Sequence, residues 1–154
     1  MLELLAPAGN LDAVIAAVQN GADAVYMGFG DGFNARRSAD NFTRESFAKA
    51  VRYCHIRGCK VYVTLNTLVG DREMEAAAAL AQQASDAGAD AILVQDLGLA
   101  RVLRDALPDI PLHASTQMSI HNLAGVEAAA EMGITRAVLS RELSLEQIRF
   151  ISQH

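Results

Sequence analysis

Aromatic residues and cysteines are scarce in this chain of 154 residues. Only 5% of the residues are aromatic although 51% are hydrophobic, so the core has to be aliphatic and rich in alanine. The two cysteines, Cys54 and Cys59, are too few for a secreted disulfide framework and favour an intracellular protein. One lies late in a predicted helix and the other at the start of a predicted strand, and we predict no metal site.

Long apolar runs are also missing. The longest segment without Asp, Glu, Lys or Arg covers residues 110–126, and its His, Ser, Thr, Gln and Asn side chains are incompatible with lipid. The first 20 residues carry Glu3 and Asp12 and lack the basic start of a targeting peptide. We therefore expect a cytoplasmic protein that does not enter a membrane.

The net charge is −5 and the isoelectric point is about 5.3. This acidic balance argues against a broad, non-specific surface for nucleic acid, although it is compatible with a local basic site.

A short sequence pattern recurs along the chain. Residues 20–28 return as residues 87–95, and weaker copies cover residues 57–66 and 132–140. Each copy closes a helix with a glycine and then enters a short run of β-branched residues without polar alternation, which is typical of buried parallel strands. The pattern therefore predicts a repeating βα unit.

Six such units are predicted. The predicted strands are Glu3–Ala6, Ala24–Gly28, Lys60–Leu65, Ala91–Gln95, Pro111–Ser115 and Ala137–Ser140. The predicted helices run from Asn10 to Asn20, Thr43 to Arg57, Asp71 to Ala87, Leu97 to Leu107, Asn122 or Ser119 to Met132, and onward from Ser144.

This order predicts an α/β fold, a (β/α) TIM-like barrel. A closed barrel has eight units and roughly 250 residues, so we expect residues 1–154 to be the amino-terminal part of a single barrel domain, with the carboxy-terminal remainder absent. The alternative is an open sheet whose first and sixth strands expose unpaired edges. Such edges would favour a homo-oligomer.

Polar side chains follow nearly every predicted strand. Because parallel strands present their carboxyl ends at one rim, we predict a binding or catalytic site there. The candidates are Asn34, Arg36 and Arg37 after the second strand, Asn66 after the third, Gln95 and Asp96 after the fourth, His113, Ser115 and Gln117 around the fifth, and Arg141 and Glu142 after the sixth.

Several of these residues have two interpretations. Glu142 could be an acid–base group held by Arg141, or the two could form an ion pair that closes a turn. Asp96 could titrate in catalysis or serve the helix that follows it. His113 could point into the barrel or toward the helices, and a buried, hydrogen-bonded histidine is the simpler expectation.

The connection from Gly28 to Asn41 lies between a strand and a helix. Its backbone amides, with Arg36 or Arg37, could hold a phosphate or carboxylate, and the alternative is a flexible lid. Its glycines are spaced by two and match neither a Walker nor a Rossmann fingerprint.

Seven segments together resemble peptidase family U32, the collagenase-like proteases. They are Leu5-Ala-Pro-Ala-Gly9, Gly21-Ala-Asp-Ala-Val-Tyr-Met-Gly28, Phe33-Asn-Ala-Arg36 with Asn41-Phe42, Val61 to Asn66, Val94-Gln-Asp-Leu-Gly98, His113-Ala-Ser-Thr-Gln117 with Asn122, and Leu139-Ser-Arg-Glu-Leu143. The resemblance implies a TIM-like barrel. It also implies either peptide-bond hydrolysis or support of RNA base hydroxylation.

The resemblance has one departure. Similar proteins carry a cysteine-rich signature that has no counterpart here, so we expect no cofactor in this segment and an iron–sulfur cluster, if any, in the full-length protein. The first hypothesis is a peptidase with Glu142 and Asp96 as catalytic residues. The alternatives are an RNA-hydroxylation component with Arg36, Arg37 and Arg141 as anion contacts, and an inactive structural half-barrel.

Overall fold

The computed structural model describes residues 2–30, 32–35 and 41–154 of the chain. Its strands are β1 (Leu5–Pro7), β2 (Ala24–Met27), β3 (Lys60–Leu65), β4 (Ala91–Val94), β5 (Leu112–Ala114) and β6 (Ile134–Ala137). Its helices are α1 (Leu11–Gln19), α2 (Arg44–His55), α3 (Met74–Asp86), α4 (Leu97–Ala106), α5 (Leu123–Glu131) and α6 (Leu145–Gln153), with a short 3₁₀ turn at Thr116–Met118.

The strands form one parallel sheet in the order β1-β2-β3-β4-β5-β6. Strands alternate with helices throughout, which confirms the predicted α/β fold with six βα units. The sheet is not closed, because β1 and β6 do not pair with each other. Among the described residues, no helix combines the length and apolar composition needed to cross a bilayer.

The two faces of the sheet differ in chemistry because successive side chains of a strand point to opposite sides. In β3, Val61, Val63 and Leu65 join the aliphatic core shared with the helices. Tyr62, between them, belongs to a smaller cluster on the inner face with Leu93 of β4. The inner face therefore carries the side chains that surround the barrel interior.

Four predicted helix starts are confirmed by their caps. The side chains of Asn10, Thr43, Asp96 and Ser144 each accept a hydrogen bond from a backbone amide in the first turn of the following helix. Ser144 forms a complete capping box with Gln147.

Most predicted boundaries agree with the structure within two residues, and two predicted elements begin three residues from their observed start. The sixth strand is Ile134–Ala137 and not 137–140, because the chain enters the sheet directly after Gly133, before the apolar residues that suggested a strand. The third helix begins at Met74 and not at Asp71, since the Glu73 amide donates to the Gly70 carbonyl and holds residues 70–73 in a turn. Of the two caps considered for the fifth helix, Asn122 is the one used, and Ser119 has a φ of 58° at the end of the 3₁₀ turn.

A polar contact crosses the inside of the open sheet. The Glu3 carboxylate, just before β1, accepts hydrogen bonds from the Arg136 guanidinium on β6 and from the Tyr62 hydroxyl on β3, the latter at 3.0 Å. The hydrogen bonds and charge of Arg136 lower the pKa of Glu3 below its ordinary value. The first and last strands are thus joined by side chains although their backbones do not pair.

We predict that Glu3→Gln lowers the free energy of unfolding by about 1 kcal/mol, because the ion pair is partly shielded and hydrogen-bonded by Tyr62. The matched control is Glu45→Gln, which breaks the exposed pair with Lys49 and should have almost no effect. Urea denaturation measures both. Because the folded pKa of Glu3 is lowered, the stabilisation is present above its unfolded pKa and is lost as the pH falls through the folded value. Equal effects of the two substitutions would contradict this prediction.

The Asp96 cap makes a separate prediction. Asp96→Ala should lower the unfolding free energy by about 1 kcal/mol, since the Leu99 amide loses its acceptor at 2.8 Å. Asp96→Asn keeps an amide oxygen at this position and should remain close to the parent protein in the same urea titration. A loss as large in Asp96→Asn as in Asp96→Ala would show that the charge, and not the cap, is what matters.

Candidate functional site at the carboxyl ends of the strands

A cleft of about 350 Å³ lies toward the carboxyl ends of the strands. Its size is within the range of small-ligand sites. Its walls combine aliphatic side chains with amides and hydroxyls, and come from five strands or their ends and from the segment after β6. They are lined by Leu5, Tyr26, Ala35, Thr64, Asn66, Leu93, Ser115, Thr116, Gln117, Val138, Leu139 and Arg141.

Four of the predicted site residues, Asn66, Ser115, Gln117 and Arg141, meet in this cleft. The Asn66 amide connects two sides of it: Oδ1 accepts from the Ala35 backbone amide at 3.1 Å, and Nδ2 donates to the Ser115 hydroxyl at 3.2 Å. That hydroxyl also accepts from the Gln117 backbone amide at 3.3 Å. Asn66 therefore holds the loop after β2 against the end of β5.

Gln117 and Arg141 have side chains that remain available to a ligand. Both are exposed, and neither side chain hydrogen-bonds to another residue in the described ranges. Among the described lining residues, Arg141 alone carries a charge. The cleft thus offers one cation beside amide and hydroxyl groups.

Glu142 does not join this cleft. It lines a neighbouring groove with Ser119, His121 and Ser140, and within the part of the chain that the structure describes it forms no ion pair with Arg141. The contact between Arg141 and Glu142 that both interpretations required is therefore not found among the described residues, and a catalytic role for Glu142 stays a prediction.

Asp96 and Gln95 also lie apart from the cleft lining. One carboxylate oxygen of Asp96 accepts from the Leu99 amide at 2.8 Å, and the other faces the Val69 amide at 3.4 Å. Both oxygens are thus directed at backbone groups around the start of α4. Gln95 is half-buried at the end of β4.

Asn34 is buried beside Gly28 at the base of the β2–α2 connection. Its Nδ2 donates to Asn41 Oδ1 at 3.1 Å, and a Cβ on Gly28 would lie 2.1 Å from that oxygen, so only glycine allows the two amides to approach the strand end. At the base of the connection, Phe29 and Phe42 form an isolated parallel β-bridge between their backbones. Arg36 and Arg37, predicted as anion contacts, lie outside the described residues.

His113 points inward and is 6% exposed. Its ring meets the Tyr62 ring edge-on, with centroids 4.9 Å apart. It is buried as expected, but the expected hydrogen bond is missing: its ring nitrogens bond to none of the residues that the structure describes. Burial, followed by the charge of Arg136, lowers the pKa of His113 to about 4.

The cysteines are buried on the helix side of the sheet. Burial, with the neighbouring Cys59, raises the pKa of Cys54 to about 12, and burial also raises the pKa of Cys59. Protonated, enclosed thiols are poor metal ligands. The described residues contain no group of three or more His, Cys, Asp or Glu side chains placed to hold a metal ion, and these two thiols do not fit an iron–sulfur cluster, which needs four ligands.

Sequence reasoning missed the inner-face residues of the site. Thr64 and Leu93 line the cleft from within β3 and β4, and Arg136 and Glu3 lie below it. The signal was strand parity: Thr64 is two residues before Asn66, so both point to the same side.

The sequence profile of peptidase family U32 matches residues 9–154. The chain is 43% identical over 152 residues to a 23S rRNA 5-hydroxycytidine synthase of Escherichia coli, covering 99% of this chain and 22% of that protein. It is 40% identical to a tRNA hydroxylation protein of Bacillus subtilis, covering 96% of this chain and 35% of that protein.

A third relative is a collagenase of Porphyromonas gingivalis, 33% identical, covering 98% of this chain and 36% of that protein. The chain therefore spans between about a fifth and somewhat over a third of the length of these curated relatives.

Solved structures agree on the fold. A U32 peptidase structure superposes with a TM-score of 0.81 at 16% identity, covering 99% of this chain and 65% of that one. A DHDPS structure from Cyanidioschyzon merolae superposes at 0.63 and 14% identity, covering 98% of this chain and 59% of that one. Both superpositions support the α/β fold described above. The profile match covers residues 9–154, nearly the whole chain, and establishes that the chain belongs to peptidase family U32.

Proposed function

We propose that this chain is the RNA-binding part of a protein that supports hydroxylation of an RNA base. The carrying observation is the cleft at the strand ends, which places Gln117 and Arg141 together beside aliphatic walls. Two of the relatives described above are named for hydroxylation of rRNA or tRNA, and they match this chain at 43% and 40% identity.

The chemistry of the cleft suits one nucleotide better than an extended duplex. Arg141 can contact a phosphate, and the Gln117 amide has both a donor and an acceptor for a base edge. Unstacked bases are bound in pockets by hydrogen bonds to their edges and by contact with apolar or aromatic side chains, a role that Leu93 and Tyr26 can fill. A net charge of −5 is compatible with such a local contact.

We assign the cleft residues a role in binding RNA and no role in the hydroxylation reaction itself. Asp96 acts here as the cap of α4, and Glu142 faces the neighbouring groove, outside the proposed RNA site. If the full-length protein holds an iron–sulfur cluster, the ligands must come from other residues than Cys54 and Cys59.

The peptidase hypothesis has one relative named collagenase in its favour, at 33% identity. However, the Ser115 hydroxyl in the cleft is bonded to the Asn66 side chain and the Gln117 backbone amide, and neither of these groups could activate it as a nucleophile. We therefore favour RNA binding.

Arg141→Ala should weaken the binding of a fluorescently labelled RNA stem-loop with unpaired pyrimidines by about tenfold, the effect of losing one charge-assisted contact. It should also reduce the slope of binding against salt concentration by about 1. Fluorescence anisotropy at several salt concentrations measures both quantities.

The matched control is Arg101→Ala, which removes the same charge from an exposed position on α4. Equal loss in both variants would indicate a general charge effect and contradict an RNA site in the cleft. Release of fragments from a collagen-like peptide, without RNA binding, would support the peptidase hypothesis in its place.

A further inference from the structure

His113 lies in the same row of the sheet as residues that line the cleft. The register pairs Thr64 with Leu93, Leu93 with His113, and His113 with Arg136. Thr64 and Leu93 both line the cleft. His113 is not itself one of the lining residues. It pairs with Leu93 and lies about 7 Å below Ser115 by the rise of a strand, directly beneath the lining.

This histidine is an uncommitted polar group in an enclosed position. Only 6% of its surface is exposed, and its ring nitrogens form no hydrogen bond with another described residue. No buried side-chain nitrogen or oxygen among the described residues is fully sealed without a partner, so the imidazole nitrogens keep contact with the interior space. Burying a polar group without a partner costs free energy, which a ligand can recover.

The ring is held in place and uncharged. Its edge-on contact with Tyr62 fixes its orientation, and Tyr62 is itself fixed by its hydrogen bonds to Glu3. A neutral imidazole has one N–H donor and one acceptor nitrogen. It therefore matches a neutral heterocycle with alternating donors and acceptors, whereas a carboxylate or phosphate prefers a cation.

We propose that His113 is a ligand-contacting residue at the floor of the cleft, where it hydrogen-bonds the edge of a pyrimidine base. This inference rests on the proposed RNA function and names the part of the RNA that enters the cleft. Leu5, Leu93 and Tyr26 contact the faces of the ring, Gln117 lies at the mouth, and Arg141 binds the attached phosphate.

The test compares His113→Phe with His113→Gln in the binding of the same labelled stem-loop. Phenylalanine keeps the ring contact with Tyr62 and removes both nitrogens, so binding should weaken by about tenfold. Glutamine restores a donor and an acceptor and should recover part of this loss. The matched control is His121→Gln, in the neighbouring groove, which should bind as the parent protein does.

A second measurement uses the parent protein and therefore does not require any variant to fold. The chain has four histidines, so four imidazole signals can be followed by nuclear magnetic resonance. Uridine or cytidine 5′-monophosphate should shift the His113 signal, whereas inorganic phosphate alone should not. Because the groups that face the ring are Arg136, Glu3, Lys60 and Tyr62, and its pKa is about 4, the His113 signal should not titrate between about pH 5.5 and 8.

The outcomes separate the two proposals. If the stem-loop binds in an Arg141-dependent way but His113→Phe binds equally well, and the His113 signal ignores both nucleotides, the pyrimidine contact is overturned and RNA binding stands. If phosphate alone shifts the His113 signal as much as the nucleotides do, the cleft floor binds an anion and the inference is wrong. If no stem-loop binds at all, the proposed function fails.

Discussion

The Glu3 carboxylate meets the Arg136 guanidinium across the inside of the sheet, and this contact joins residues that are 133 positions apart in the chain. Six parallel strands curve without closing, so their curvature depends on what fills the concave side. Tyr62 completes the contact from the middle of the sheet by donating to the same carboxylate. Because Arg136 lies on β6 and Arg141 follows a few residues later, this ion pair links the strand that leads to the site's cation with the start of β1.

The interior then changes in character from one end to the other. Thr64, Leu93, His113 and Arg136 follow one another in register across the sheet, the Arg136 side chain reaches Glu3 and Tyr62, and amides and hydroxyls occupy the rim. Burial near the positive charge of Arg136 keeps His113 neutral, so the two residues are linked electrostatically. The rim of the cleft is therefore polar, and the buried imidazole beneath it is uncharged.

The predictable part of this structure is local. Repeated glycines at helix ends revealed the βα units, and four caps fixed helix starts, because these signals act within a few residues. Asn66, Ser115, Gln117 and Arg141 could be assigned to one rim because strand ends converge in any parallel sheet. The contacts of Glu3 with Arg136 and of His113 with Tyr62 could not be predicted, since a contact across the interior depends on register and curvature. The predicted start of β6 was wrong because the strand contains the polar residues Thr135 and Arg136. Their composition alone does not indicate a strand, since polar residues occur in strands only where the neighbouring structure accommodates them.

The same geometry bears on why a family named for peptidases includes proteins named for RNA hydroxylation. Hydrolysis of a peptide bond needs an activated nucleophile, and in the described part of the cleft the Ser115 hydroxyl is bound to the Asn66 amide, which cannot act as a base. Recognition needs only fixed donors and acceptors, and Asn66 supplies this rigidity by holding Ala35 and Ser115 at once. Such an arrangement suits recognition of a ligand, whereas hydrolysis at Ser115 would need a base in the place that the Asn66 amide occupies.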